Sequence, residues 1–156
     1  MNNFFYKKLD AYQIAKELTL YVYSLLKKYP PQEEYGICNQ LRRASVSIPS
    51  NIAEGMGRMA IKERIHFLEI AYGSLMETMC QLDISQSLGY ISEEELKTAE
   101  EISTRLSKVM SGLRNALNEK NTPNINITRM KCSKRNHEVG LFSFNTPHST
   151  FLTSLS

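Results

Sequence analysis

Apolar residues return every third or fourth position through most of the first 118 residues, and four such stripes can be followed along the chain. The first joins Ala11, Ala15, Leu18, Val22, Leu25 and Tyr29. Asp10 and Gln13 stand at its start with the spacing of a capping box. Pro30-Pro31 stops that helix, and Pro31 with Glu33 and Glu34 suits the first turn of the next. The second stripe, Ile37, Leu41, Ala44, Ile48 and Ile52, predicts a helix running to about Arg58. Pro49 lies inside it as a kink, and Gly55 and Gly57 mark its end.

The third stripe is longer. Ile61, Ile65, Leu68, Tyr72, Leu75, Met79 and Leu82 predict a helix from about Ala60 to Leu88, with Gly89 as its C-terminal stop. Ser92-Glu93-Glu94-Glu95 is a capping box for a fourth helix, whose core side is Leu96, Ala99, Ile102, Leu106, Val109, Leu113 and Leu117. Short connections between amphipathic helices predict an all-α, antiparallel up-down-up-down four-helix bundle over residues 1–118. Its expected core is Leu18, Val22, Leu41, Ile48, Ile52, Leu68, Leu75, Leu82, Ile102, Leu106 and Val109. Residues 119–156 lose the periodicity and become rich in Asn, Ser and Thr, the composition of a flexible, mildly basic C-terminal tail. Within it, 124–128 and 141–144 alternate apolar and polar residues, as short strands do.

Charge divides the chain at the same place. Residues 1–118 hold 14 Lys/Arg and 14 Asp/Glu, so the formal net charge of +3 belongs to the segment after them. A neutral bundle argues against a strong sequence-independent phosphate-binding face. At 156 residues and 42% apolar, the chain can bury a single core. Cys38, Cys80 and Cys132 are odd in number and scattered, which reads neither as a disulfide framework nor as a metal site. The opening MNNFFYKKLDAY lacks the apolar core of a secretory signal, and no run approaches the roughly 18 apolar residues of a membrane span. The expectation is a cytoplasmic protein that does not enter membranes.

The second helix carries the most distinctive residues. Tyr29-Pro30 precedes Glu34-Tyr35-Gly36-Ile37 and Gln40-Leu41-Arg42-Arg43-Ala44. Ser47-Ile48-Pro49-Ser50-Asn51-Ile52-Ala53-Glu54-Gly55 and Arg58 follow. The third helix adds Phe67-Leu68, Ile70-Ala71, Gly73-Ser74-Leu75 and Glu77, and Gly89-Tyr90-Ile91 comes after it. In these motifs residues 5–118 resemble the four-helix-bundle family of the 23S rRNA intervening-sequence protein. The chain departs from that pattern at Met59-Ala60, where a Ser or Thr cap is expected for helix three, and in everything beyond residue 118. A similar protein, the accessory variability determinant of diversity-generating retroelements, is a pentameric four-helix bundle that binds nucleic acid and a reverse transcriptase. The resemblance therefore implies a homo-oligomer, with a pentamer as the first stoichiometry, and no established enzymatic activity.

Gln40, Arg43, Ser47, Asn51, Glu54 and Arg58 follow helical spacing beside the second stripe. One reading is a surface for RNA or DNA, with Arg43 and Arg58 on phosphates and Gln40 and Asn51 on bases, in a factor that works through Arg42, Arg43, Arg58, Arg64 and the basic tail. The other, which we favour, is a structural or subunit-facing polar seam. Arg43 would then pair with Glu54 or with a carboxylate of helix three, and Asn51 would satisfy backbone carbonyls freed by Pro49. Glu54, Glu69 and Glu77 invite comparison with carboxylate-bridged metal bundles, but only Glu63-Arg64-Ile65-His66 supplies the required Glu-x-x-His spacing, and a second copy is missing. Cys132 and His137 are too few for zinc. No catalytic constellation, metal site or cofactor is expected. The sequence thus predicts a non-enzymatic, self-associating assembly or adaptor module, with an RNA- or DNA-binding accessory factor as the alternative.

Overall fold

A computed structural model describes residues 4–121 of the chain. Helix α1 spans Asp10–Leu25, α2 Ile37–Gly57, α3 Ile61–Ser87 and α4 Glu93–Asn121, with 3-10 turns at Phe5–Lys8, Leu26–Lys28 and Pro31–Glu33. Each helix packs on its neighbour in sequence and α1 closes against α4, most extensively at the α2–α3 pair. This is the all-α four-helix bundle that the stripes predict. Helix α4 continues through Asn121, past the boundary expected at 118. The tail beyond it, with its alternating stretches, Cys132 and His137, lies outside the described residues.

The expected core is buried, with one exchange. Leu18, Leu41, Ile48, Ile52, Leu75, Leu82 and Leu106 are fully enclosed, whereas Val109 is half-buried and Met110 takes the inner position. Helix α3 differs more. Tyr72, expected inside, is 42% exposed, and the buried line runs instead through Leu68, Ala71, Ser74, Leu75, Thr78, Leu82 and Ser85. Small side chains there let the neighbouring helices come close. Their hydroxyls remain satisfied inside because they fold back on their own helix: Ser74 donates to Ile70 O at 3.1 Å, Thr78 to Ser74 O at 2.8 Å and Ser85 to Gln81 O at 2.6 Å.

The helix ends sort the predicted caps. Ser92 and Glu95 form the reciprocal box, the Ser92 amide donating to Glu95 Oε2 at 2.9 Å and the Glu95 amide to Ser92 Oγ at 3.2 Å. Gly89 adopts φ +76°, the Tyr90 amide donates to Ser85 O and the Gly89 amide to Gln86 O, which is the Schellman closure of α3. The box expected at Asp10 does not form. Leu9 precedes α1 without a side-chain cap, and Gln13 Nε2 donates instead to Lys7 O at 2.6 Å, tying α1 to the preceding turn.

Nor does Pro31 open α2. Pro31–Glu33 is a separate 3-10 turn, and α2 begins only after Gly36. Glu33 folds back over this start, accepting from the Ile37 amide at Oε2 (3.3 Å) and from the Tyr90 hydroxyl at Oε1 (3.2 Å). A Cβ on Gly36 would sit 2.6 Å from Glu33 Oε2, so a side chain there would push the carboxylate aside.

Candidate functional site

The seam that the sequence marks on α2 is built around Pro49. Proline has no amide hydrogen, so the carbonyl of Ser45, four residues earlier, loses its helical donor. Ser45 is fully buried, where an unpaired carbonyl is costly. The replacement comes from another helix: Thr19 Oγ1 on α1 lies 2.8 Å from Ser45 O, and 2.9 Å from Ala15 O in its own helix. Asn51, expected to fill this role, does something else. Its Nδ2 donates to Ser47 O at 2.8 Å and to Ser47 Oγ at 2.9 Å. Ser47 Oγ in turn lies 2.9 Å from Ser74 Oγ on α3, so the polar line crosses from α2 to α3.

Farther along, Gly55 lets α3 approach. A Cβ there would stand 2.8 Å from Phe67 Cβ and 3.3 Å from Arg64 O. Beyond it Arg58 pairs with Glu54 one turn back, and its guanidinium lies 4.8 Å from the centre of the Phe67 ring. Arg64 Nε donates to Arg58 O at 2.7 Å, which secures the connection where α3 has no side-chain cap at Ala60. The pairing expected between Arg43 and Glu54 is therefore replaced by Arg58 and Glu54, which the i,i+4 spacing favours.

At the other end of α2, Arg42 makes a two-pronged pair with Glu34, Nη1 to Oε1 at 2.8 Å and Nη2 to Oε2 at 2.9 Å. This bond holds the Glu34 carboxyl below its ordinary range and raises the Arg42 guanidinium. Gln40 and Arg43 are exposed and border a shallow groove of about 640 Å³ between α2 and α3, with Ser47 beside them on α2 and Ser74 and Glu77 across from them on α3. Among the described residues no ion pair holds Arg43. Arg43 and Arg58 are 15 residues apart on one helix, about 22 Å along its axis. The structure thus separates Gln40, Arg42 and Arg43 from Glu54, Arg58 and Arg64, with Asn51 turned inward between them.

Other reactive groups are protected by packing. Burial raises the Cys38 thiol and the Tyr29 hydroxyl, and the latter has no aligned hydrogen-bond partner among the described residues. Among the described residues no group of three or more His, Cys, Asp or Glu side chains could hold a metal, and no helix is long and apolar enough to cross a membrane.

Sequence reasoning missed Thr19, Ser45 and Phe67 as partners of this seam. Thr19 carries a weak signal, a hydroxyl beside the buried Leu18, while Phe67 carries none that distinguishes it from core.

The sequence profile described as 23S rRNA-intervening sequence protein matches residues 7–112. A solved structure, a protein of unknown function from the S23 ribosomal protein family of Bacteroides thetaiotaomicron, superposes with a TM-score of 0.62 at 24% identity. The alignment covers 67% of this chain and 97% of that one, and at this identity it shows a shared fold. Among curated proteins no sequence matches.

Proposed function

The chain belongs to the 23S rRNA-intervening sequence protein family, and on that footing we propose that it is a non-enzymatic helical bundle that associates with itself and acts as an assembly or adaptor module. The observation that carries this reading is a contrast on the surface. Arg42, Arg58 and Arg64 are engaged within the chain, while α3 leaves Tyr72 and Met76, one turn apart, 42% and 43% exposed. Apolar side chains exposed in adjacent turns are what a contact between copies would cover. A homo-oligomer in the cytoplasm, with a pentamer as the first stoichiometry to test, completes the reading. Light scattering at micromolar protein is expected to give a mass above the monomer. A clean monomer mass over a wide concentration range would remove it.

One observation favours the alternative, an RNA- or DNA-binding accessory factor: Gln40 and Arg43 stand exposed beside the α2–α3 groove, and among the described residues no ion pair holds Arg43. On that reading Arg43→Ala weakens binding measured by fluorescence anisotropy, and the affinity falls steeply with salt. No binding by the wild-type protein at low salt would remove it.

A further inference from the structure

Antiparallel packing gathers residues that lie far apart in the sequence at one end of the bundle. Glu17 pairs with Arg105 across α1 and α4, and Gly55 meets Phe67 across α2 and α3. The start of α1, the α2–α3 connection and the last turns of α4 therefore lie at the same end. Three large apolar side chains are exposed there: Phe4 and Phe5 before α1, at 57% and 67%, and Met59 between α2 and α3, at 92%. Lys7, Lys8, Lys62 and Lys120 are exposed at that end too, and no ion pair among the described residues holds any of them.

The bundle is neutral as a whole but not along its axis. Residues 4–10, 54–64 and 114–120, at this end, hold seven Lys/Arg and four Asp/Glu. Residues 26–42 and 83–97, at the other, hold four Lys/Arg and six Asp/Glu. An anionic plane would attract one end and repel the other, and so orient the molecule before contact. The apolar group is held ready to meet it. Phe5–Lys8 is a 3-10 turn packed on α1 and α2, and Gln13 Nε2 ties it to α1 through Lys7 O. The rings of Phe4, Tyr6 and Tyr12 follow one another with centroids 5.9 and 4.8 Å apart. Lys7 Nζ lies 5.3 Å from the centre of the Phe4 ring, and its long stem lets the ammonium stay in water while that ring is buried.

We propose that this end of the bundle docks on an anionic lipid surface. Phe4, Phe5 and Met59 enter the boundary between headgroups and acyl chains, and the lysines meet lipid phosphates and carboxylates. The contact is peripheral and needs no spanning helix. It goes beyond the assembly reading and does not depend on it. Nucleic acid is the other polyanion that a basic end could meet. Stacking on bases would use Phe4 and Phe5 but leave Met59 in water, whereas an acyl boundary covers all three.

The test is co-sedimentation of the full chain with vesicles of phosphatidylcholine alone or mixed with phosphatidylserine. Binding is expected only to the mixed vesicles, and it should weaken with salt. Phe4→Ser with Phe5→Ser, and separately Lys7→Glu with Lys8→Glu, should each lower the affinity about tenfold or more while helical circular dichroism is kept. Lys27→Glu with Lys97→Glu changes the net charge equally at the other end and should leave binding unchanged. The chain has no tryptophan, so Phe5→Trp gives a single reporter, whose emission should shift to the blue on the mixed vesicles. No binding to the mixed vesicles, or undiminished binding by the serine variant, would overturn the proposal. Equal loss from both lysine reversals would also overturn it, because binding would then follow net charge and not this end. Binding of a single-stranded RNA through the same residues, without vesicle binding, would assign this end to nucleic acid instead.

Discussion

The Thr19 hydroxyl on α1 stands 2.8 Å from the Ser45 carbonyl on α2, the acceptor that Pro49 leaves without a backbone donor. A proline inside a helix is ordinarily a local defect of about 3 kcal/mol or more. Here part of that defect is met by a neighbouring helix, so the proline fixes which residue of α1 must face α2. The pair is therefore a register mark between the two helices as well as a hydrogen bond.

Thr19→Val keeps the shape and removes the donor. It should destabilise by about 1–3 kcal/mol, the cost of an unsatisfied buried carbonyl. Pro49→Ala returns an amide to the same carbonyl, so in that background Thr19→Val should cost clearly less. Urea unfolding of the four proteins in the cycle measures the coupling. Equal penalties in both backgrounds would show that the threonine does not serve that carbonyl.

Two glycines should respond oppositely to a single methyl group. At Gly55 the added Cβ meets Phe67 Cβ at 2.8 Å, and Gly55→Ala should destabilise by about 1–3 kcal/mol through overpacking at the α2–α3 crossing. At Gly73 nothing lies within 4 Å of the added atom, and Gly73→Ala should stabilise by about 0.5–1 kcal/mol through helix propensity. Thermal midpoints moving in the same direction would contradict the packing described.

The Glu95 carboxyl is held below its ordinary range, first by its bond to Lys28 and then by the Ser92 amide. A carboxyl depressed by folding stabilises the protein above its unfolded pKa, and that stability is lost as pH falls through its folded value. Lys28, raised by the same partner, contributes below its unfolded pKa and loses that contribution as pH rises through its folded one. The difference in urea midpoint between wild type and Glu95→Gln should therefore be largest near neutral pH. It should shrink on acidification below the carboxylate range. A difference constant down to pH 2 would show that the charge on Glu95 contributes nothing.

Thiol access separates two cysteines. Cys80 is exposed and Cys38 is 2% exposed with its thiol raised by burial. In a Cys132→Ser protein, a thiol reagent should modify Cys80 at once and Cys38 only on the timescale of unfolding. Simultaneous modification would mean that the end of the bundle around Cys38 is open.

The buried stripes of α1 and α2 were legible because each helix has one apolar side, and Leu41, Ile48 and Ile52 can point only one way. The Ser92–Glu95 cap was legible because both partners lie within one turn. Helix α3 was not, since Ile70, Tyr72, Met76 and Ile84 put apolar residues nearly all round it. Periodicity could not choose between Tyr72 and Ala71 for the inner line. The polar seam was visible as a set of residues but not as a set of bonds. Thr19 and Ser45 are 26 positions apart, and nothing local announces their meeting. Asn51 was read as the donor to a freed carbonyl because it was nearby in sequence, while the donor that reaches Ser45 comes from α1.

Glu33 accepts from the first amide of α2 and from Tyr90 after the end of α3, so one carboxylate clasps both connections at one end of the bundle. The consequence concerns opening rather than shape. Helix starts usually fray independently, each with its own rate of amide exchange. Here the Ile37 amide can exchange with solvent only when the clasp releases, and that release also frees the chain around Tyr90. Tyr90→Phe should therefore speed exchange at Ile37, 53 residues away in sequence, without altering the helices between them.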